Sequence, residues 1–130
     1  MTLTVLRVVT PTLGAYSNYV KATGAVLDGS TGLLSISTDQ YQNLKSLFLE
    51  IDNSDFELTP NAQIWPRALN GVIGGKDDGI YLIVQQLGEA IPGFNFILGT
   101  AFMERYCTVF DTAGKHVGIA KTPYTDADTN

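Results

Sequence analysis

The sequence predicts an all-β domain with two short helices. Short apolar runs recur along the 130 residues, and clusters of Gly, Asp, Asn, Ser and Thr separate them. Helix signals occur in two stretches only, and both are short. Many brief strands divided by turn formers are typical of antiparallel β architectures. Because 45% of the residues are apolar, a chain of this length can bury one modest core, which favours a single domain.

The first strand and the first helix are predicted near the N-terminal end. Residues 3–9, LTVLRVV, are apolar and rich in β-branched side chains, as strands are. A helix is expected next, with Thr10-Pro11 opening it and Gly24 closing it. The apolar face of this helix would be formed by Tyr16, Tyr19 and Val20.

The middle of the chain predicts strands and turns. A turn containing Gly29 and Gly32 leads into an apolar run, and the turn formers DNSD at 52–55 join two alternating runs into a hairpin. Residues 70–79 are polar and rich in glycine, so they predict a loop. The predicted strands are 33–37, 46–51, 56–59, 62–65 and 80–87.

The remaining residues predict a strand, a helix and a hairpin. Residues 94–99 are apolar and end in glycine, which favours a strand. Residues 100–106 predict two turns of helix, with Thr100 as the N-cap. A final hairpin is expected at 107–111 and 116–120, followed by a polar edge or loose end at 121–130.

Charge and composition exclude several kinds of site. A net charge of −5 argues against a nucleic-acid surface, which needs clustered Lys and Arg. The single cysteine, Cys107, alternates with apolar residues and is expected to be buried and inert. Without a His/Cys cluster, no metal site is predicted, and the one histidine, His116, is expected at the surface. The apolar run interrupted by Arg7 is too short for a membrane span and is not typical of a signal peptide.

Two acidic clusters are expected to be ordinary loop residues. Asp77 and Asp78 are adjacent in a glycine-rich stretch, where neighbouring side chains point apart into solvent. They also lack the ligand spacing of a calcium loop. Asp52 and Asp55 belong to the predicted hairpin turn. Neither cluster is expected to bind a metal.

Three long segments carry a family resemblance. FILGTAFMERYCTVFDTAGKHVGIAKT, at 96–122, resembles the end of the C-terminal lobe of pepsin-like aspartic proteases. The segments at 19–52 and 56–70 are similar to the polyporopepsin subgroup of the secreted fungal enzymes. The resemblance implies the C-terminal lobe of the bilobal acid protease fold over 15–130, with 1–14 as a divergent start near the missing active-site loop.

The family chemistry makes Asp28 a residue to test. Aspartic proteases use two carboxylates that share one proton, and each lobe supplies one from an Asp-(Thr/Ser)-Gly loop. Asp28 is followed by Gly29 and Ser30, so the glycine and the hydroxyl are in the wrong order. By resemblance this stretch lies after the active-site loop and its helix. Asp28 is therefore expected to be a turn residue and not a catalytic carboxylate.

Asp111 is a second aspartate with a near-match to the motif. Asp111-Thr112 is followed by Ala113, and Gly114 comes one position late. The corresponding position in the family is the turn of the last hairpin, remote from the active site. Asp111 is therefore also rejected, and no catalytic residue is predicted in this chain.

The resemblance implies an aspartic endopeptidase without a cofactor. Ile97, Leu98 and Gly99 match the segment that lies beside the catalytic loop. Because neither Asp-Thr-Gly motif is found, the chain is expected to be a lobe fragment that is inactive alone. It would act on peptide or protein substrates if an N-terminal lobe completed it, with no role at a membrane.

Two alternatives to an enzyme lobe remain open. One is a non-enzymatic domain that binds peptides along a β edge. The other is a remnant that self-associates through its uncovered lobe face. The family is extracellular, but no signal peptide was recognised, so localisation stays open.

Overall fold

The computed structural model describes residues 12–86 and 96–130, and the strand predicted at 3–9 lies outside them. Over these residues the strands are β1 Val26–Leu27, β2 Leu34–Ile36, β3 Leu47–Ile51, β4 Ser54–Leu58, β5 Ile80–Leu82, β6 Tyr106–Asp111 and β7 His116–Lys121. They form three small antiparallel sheets, with the orders β1-β2-β5, β3-β4 and β6-β7. The α-helices are α1 Thr12–Thr23, α2 Thr38–Gln42 and α3 Thr100–Met103, and the 3₁₀ helices are Asn61–Gln63 and Arg67–Ile73.

Helix α1 ends where the sequence predicts. Gly24 has a φ of +66°, and its N–H donates to the carbonyl of Val20 at 2.9 Å. This left-handed conformation suits glycine, and a Cβ there would also lie 2.7 Å from the side-chain nitrogen of Gln40. The predicted apolar face is confirmed, since Tyr19 is buried and Tyr16 and Val20 pack beside it.

Helix α2 was not predicted, although its signal is present in the sequence. Ser37 is the N-cap, and its hydroxyl accepts from the N–H of Gln40. The Gln40 side chain accepts in return from the N–H of Ser37 at 2.7 Å, which completes a capping box. Gln40 also donates to the carbonyl of Gly24 at 2.8 Å, so α2 is attached to the end of α1.

The two predicted hairpins are confirmed. Strands β3 and β4 pair from Leu47↔Leu58 to Ile51↔Ser54, so the connecting loop has two residues and β4 begins earlier than predicted. The loop residues Asp52 and Asn53 both have positive φ, as a tight hairpin loop requires. Strands β6 and β7 pair over six residues each, from Tyr106↔Lys121 to Asp111↔His116.

Three other strand predictions were wrong in extent or kind. Residues 61–63 form a 3₁₀ helix after Pro60, and only Ile64 forms a bridge, to Leu82. Strand β5 ends at Leu82, well short of the predicted end. Residues 96–99 are not a strand, and the rest of that predicted strand lies outside the described residues. A strand needs a hydrogen-bonding partner as well as an apolar pattern, and none pairs with 96–99 in the part described.

The apolar side chains form two cores. The first core lies between α1 and the β1-β2-β5 sheet, and the second lies between β3, β4, α3 and β6. Leu47 packs against both cores, which joins them. The buried members of the first core are Tyr19, Ala25, Leu34, Ile36, Ile64, Ile80, Leu82 and Val84, and those of the second are Leu49, Leu58, Ala62, Phe102 and Tyr106.

Gln63 is a buried polar residue between the two cores, with none of its surface exposed. Its Nε2 donates to the carbonyls of Lys45 at 2.9 Å and Leu58 at 3.0 Å. Its Oε1 accepts from the Tyr19 hydroxyl at 3.0 Å. Burial raises the pKa of Tyr19, so this hydroxyl stays protonated as a donor. A single amide therefore links α1, the approach to β3 and the end of β4.

We expect Gln63→Leu to lower the free energy of unfolding by about 3 kcal/mol, because two carbonyls and one hydroxyl lose their partner at a buried position. Urea unfolding measures the change. The same substitution at the exposed Gln42 is the matched control, with an expected change within about 0.5 kcal/mol. Equal effects at the two positions would contradict the role assigned to Gln63.

Candidate functional site

The segment 96–99 leads into α3 and contains Ile97, Leu98 and Gly99, which are predicted to lie beside the catalytic loop. Leu98 packs against the second core, whereas Phe96 and Ile97 are exposed. The carbonyl of Gly99 accepts from the N–H groups of Phe102 and Met103. The segment is thus anchored on one side and presents apolar side chains on the other.

Gly99, and not Thr100, is the N-cap of α3. Gly99 has extended backbone angles and provides no side-chain hydrogen bond to the helix. Thr100 is the first helical residue, so the prediction of Thr100 as the N-cap was wrong by one residue. The carbonyl of Gly99 still receives the first helical hydrogen bonds, which fixes the direction in which 96–99 enters α3.

Asp28 lies in the turn between β1 and β2. Its Oδ1 accepts from the N–H of Thr31 at 2.8 Å, the hydroxyl of Thr31 at 3.0 Å and the N–H of Ser30 at 3.0 Å. These donors, first among them the N–H of Thr31, hold the pKa of Asp28 below its ordinary value although partial burial opposes them. Gly32 closes the turn with a φ of +72°, and its N–H donates to the carbonyl of Asp28. The carboxylate is therefore stabilised in its charged form.

Asp111, the second aspartate in a sequence close to Asp-(Thr/Ser)-Gly, lies at the tip of the β6–β7 hairpin. Its Oδ1 accepts from the N–H of Gly114 at 2.8 Å, and the residue is exposed. Asp28 and Asp111 belong to turns of different sheets, and no hydrogen bond between them is recorded in 12–86 or 96–130. The structure does not bring these two aspartates together.

The other candidates lie at the surface. His116 is exposed at the start of β7, as expected, and Asp77 and Asp78 are exposed in their turn. Cys107 is exposed, so the prediction of a buried thiol was wrong. Its strand neighbour across the ladder is Ala120, on a hairpin face that nothing covers in the part described. Alternation in a strand indicates two faces but does not say which one is buried.

A cavity of about 500 Å³ lies between α1, α2 and β3. Tyr19 and Gln63 form part of its lining, and their polar atoms already bond to each other. Asp39 is the one acidic residue in the lining, so the cavity holds no carboxylate pair. Among residues 12–86 and 96–130, no group of three or more His, Cys, Asp or Glu side chains is placed to hold a metal ion.

The outer part of the β6–β7 hairpin is apolar and exposed. Val109 is 58% exposed, Phe110 66% and Val117 59%. The opposite end of the same hairpin enters the second core through Tyr106.

No helix in the described ranges is long and apolar enough to cross a bilayer.

Comparison with known proteins gives the family. The family model for eukaryotic aspartyl protease matches residues 4–122. Polyporopepsin from Irpex lacteus is 52% identical over 117 residues, which are 89% of this chain and 34% of that protein. The chain belongs to the eukaryotic aspartyl proteases.

The fold agrees with that assignment. The crystal structure of the aspartic proteinase from Irpex lacteus matches 88% of this chain and 34% of that one, with a TM-score of 0.85 and 52% identity. Aspartic protease 1 from Caenorhabditis elegans is 30% identical over 104 residues, which are 80% of this chain and 25% of that protein. This aspartyl protease chain therefore has the pepsin-like fold but spans only 25–34% of the length of these relatives.

Asp28 should contribute to stability in a pH-dependent way. Its pKa is lower in the folded chain than in the unfolded chain, where an aspartate titrates at about 3.9. The contribution is present above that value and is lost as the pH falls through the folded pKa. Asp28→Asn should therefore be less stable than the wild type at pH 7, by a margin that shrinks below about pH 4.

Urea unfolding at several pH values measures this margin. Thr31→Ser keeps the hydroxyl donor to Asp28 and is the matched control, which should retain the wild-type pH profile. A margin that stays constant down to about pH 2 would contradict the turn geometry described for Asp28.

Proposed function

We propose that residues 15–130 form the C-terminal lobe of an aspartic endopeptidase and that the chain does not hydrolyse peptides by itself. The observation that carries the proposal is the 52% identity to polyporopepsin over 89% of this chain but only 34% of that protein. Most of polyporopepsin has no counterpart in this match, so we expect a complete enzyme of this family to need residues beyond these 130.

The chemistry supports an inactive lobe. Water attack on a peptide bond requires one charged and one protonated carboxyl group in contact. No Asp-Thr-Gly or Asp-Ser-Gly triplet occurs in the 130 residues. Asp28 is the nearest match by composition, but three donors already occupy its Oδ1 and favour its charged form. Its hydrogen bonds are therefore local to its own turn.

The lobe would contribute support and surface in a completed enzyme. Ile97, Leu98 and Gly99 would lie beside the catalytic loop, with Leu98 held in the second core and Ile97 facing outward. Extended peptide or protein would be the substrate, bound between this lobe and an N-terminal lobe. No cofactor is required, because the two carboxyl groups activate water without one.

The purified chain is expected to leave casein undigested at about pH 3–4, with or without pepstatin, because the proton-sharing pair is absent. Peptide release measured by mass spectrometry tests this. Asp28→Asn and Asp111→Asn are matched variants that should behave like the wild type. Pepstatin-sensitive cleavage that either substitution abolishes would overturn the proposal and identify the responsible aspartate.

A second candidate function is peptide binding without cleavage. The feature that favours it is the exposed pair Val26 and Leu27 in β1, which is an edge of its three-stranded sheet within residues 12–86 and 96–130. An edge strand with free backbone groups can accept an extended peptide. Saturable binding of a labelled peptide without turnover would favour this function. Concentration-dependent association without peptide binding would instead favour a self-associating remnant.

A further inference from the structure

The sequence predicts a polar edge or loose end at 121–130; the structure places Lys121 in β7, and buried residues hold the segment 122–130 in place. Its attachment points are Asn61 and Arg105, which are 3% and 4% exposed. Thr125, within the segment, is 1% exposed. Burial of this extent in a stretch of Thr, Asp and Asn requires specific hydrogen bonds.

Arg105 supplies one set of these bonds. Its guanidinium donates to the carbonyls of Tyr124, at 3.2 Å, and Ala127. The same group donates to Thr129 Oγ1 at 3.4 Å. The carbonyl of Arg105 accepts from the hydroxyl of Thr125 at 2.6 Å. Arg105 thus contacts the segment with both its side chain and its backbone.

Asn61 supplies the second set. Its Oδ1 accepts from the N–H groups of Thr129 at 2.9 Å and Asn130 at 3.0 Å, and from the Arg105 guanidinium at 3.1 Å. Its Nδ2 donates to the main-chain oxygen of Asn130 at 2.9 Å. In return the Asn130 side chain donates to the carbonyls of Asn61 and Ile64, both at 3.1 Å. The two asparagines therefore pair through side chain and backbone.

These contacts bear directly on α3. In the sequence, Arg105 follows the helix and comes between Phe102 and Tyr106. The rings of Phe102 and Tyr106 stack on each other in the second core, with their centroids 4.9 Å apart. The same core holds Leu98, in the segment that enters α3. Without the segment 122–130, the buried guanidinium would lose three of its four acceptors and pull α3 toward solvent.

We infer that Asn61 and Arg105 are positioning residues, which use the segment 122–130 as a latch to hold α3 and therefore the segment 96–99. The relevance of 96–99 to catalysis rests on the proposed function, whereas the latch itself does not. The latch acts mainly on the second core, and one further hydrogen bond, from Asn130 to the carbonyl of Ile64, reaches the residue that bridges to β5.

Hydrogen exchange of the full chain tests the latch. Asn130→Ala removes the two side-chain donors to Asn61 and Ile64 and leaves the backbone contacts. The amides of Phe102, Met103, Glu104 and Arg105, which form the hydrogen bonds of α3, should exchange about tenfold faster, while those in β1 and β2, which have no recorded bond to the latch in the part described, keep their rates. Asn61→Ala should produce a larger change at the same amides.

Tyr124→Ala is the matched control. Its side chain is exposed and only its carbonyl contacts Arg105, so α3 should keep its wild-type exchange rates. Unchanged exchange in α3 of Asn130→Ala would overturn the inference. Equal acceleration in α3 and in the β1-β2-β5 sheet would also overturn it, because the segment would then stabilise the whole domain and not position α3. Neither result depends on whether the chain cleaves peptides.

Discussion

The buried amide of Gln63 is the constraint on which the arrangement of the two cores depends. It lies in a 3₁₀ helix that connects β4 to the bridge between Ile64 and Leu82. Around it, the N–H of Ile83 donates to the carbonyl of Gln63, so its backbone also joins the two halves. An unsatisfied amide at this depth would be costly, but every polar atom of this side chain has a partner. The geometry of these partners therefore fixes how the first core meets the second.

Local sequence patterns predicted the elements that depend on local contacts. Helix α1 has its own stop at Gly24, and the two hairpins are closed by turn residues beside their strands. The capping box at Ser37 and Gln40 is equally local and could have indicated α2. By contrast, the latch at 122–130 depends on Asn61, more than sixty residues away, and on Arg105, whose partners lie 19 to 24 residues away. No short-range pattern encodes such pairing.

In the candidate site, too, features set by local contacts could be predicted and features set by distant contacts could not. The order of glycine and hydroxyl around Asp28 predicted a turn residue, and Asp28 lies in the turn between β1 and β2. The hydrogen bonds to its carboxylate come from Ser30 and Thr31, so this turn depends on neighbouring residues. The exposure of Cys107 could not be predicted in the same way, because it depends on what covers one face of the β6–β7 hairpin.

The β6–β7 hairpin is buried at one end and exposed at the other. Tyr106 anchors one end in the second core, and its hydroxyl donates to the carbonyl of Glu57 at 2.6 Å. Phe110 and Val117, paired at the other end, remain exposed. Exposed apolar side chains of this size cost free energy unless another surface covers them. The hairpin is therefore firmly attached at its base, while its tip presents an exposed apolar surface.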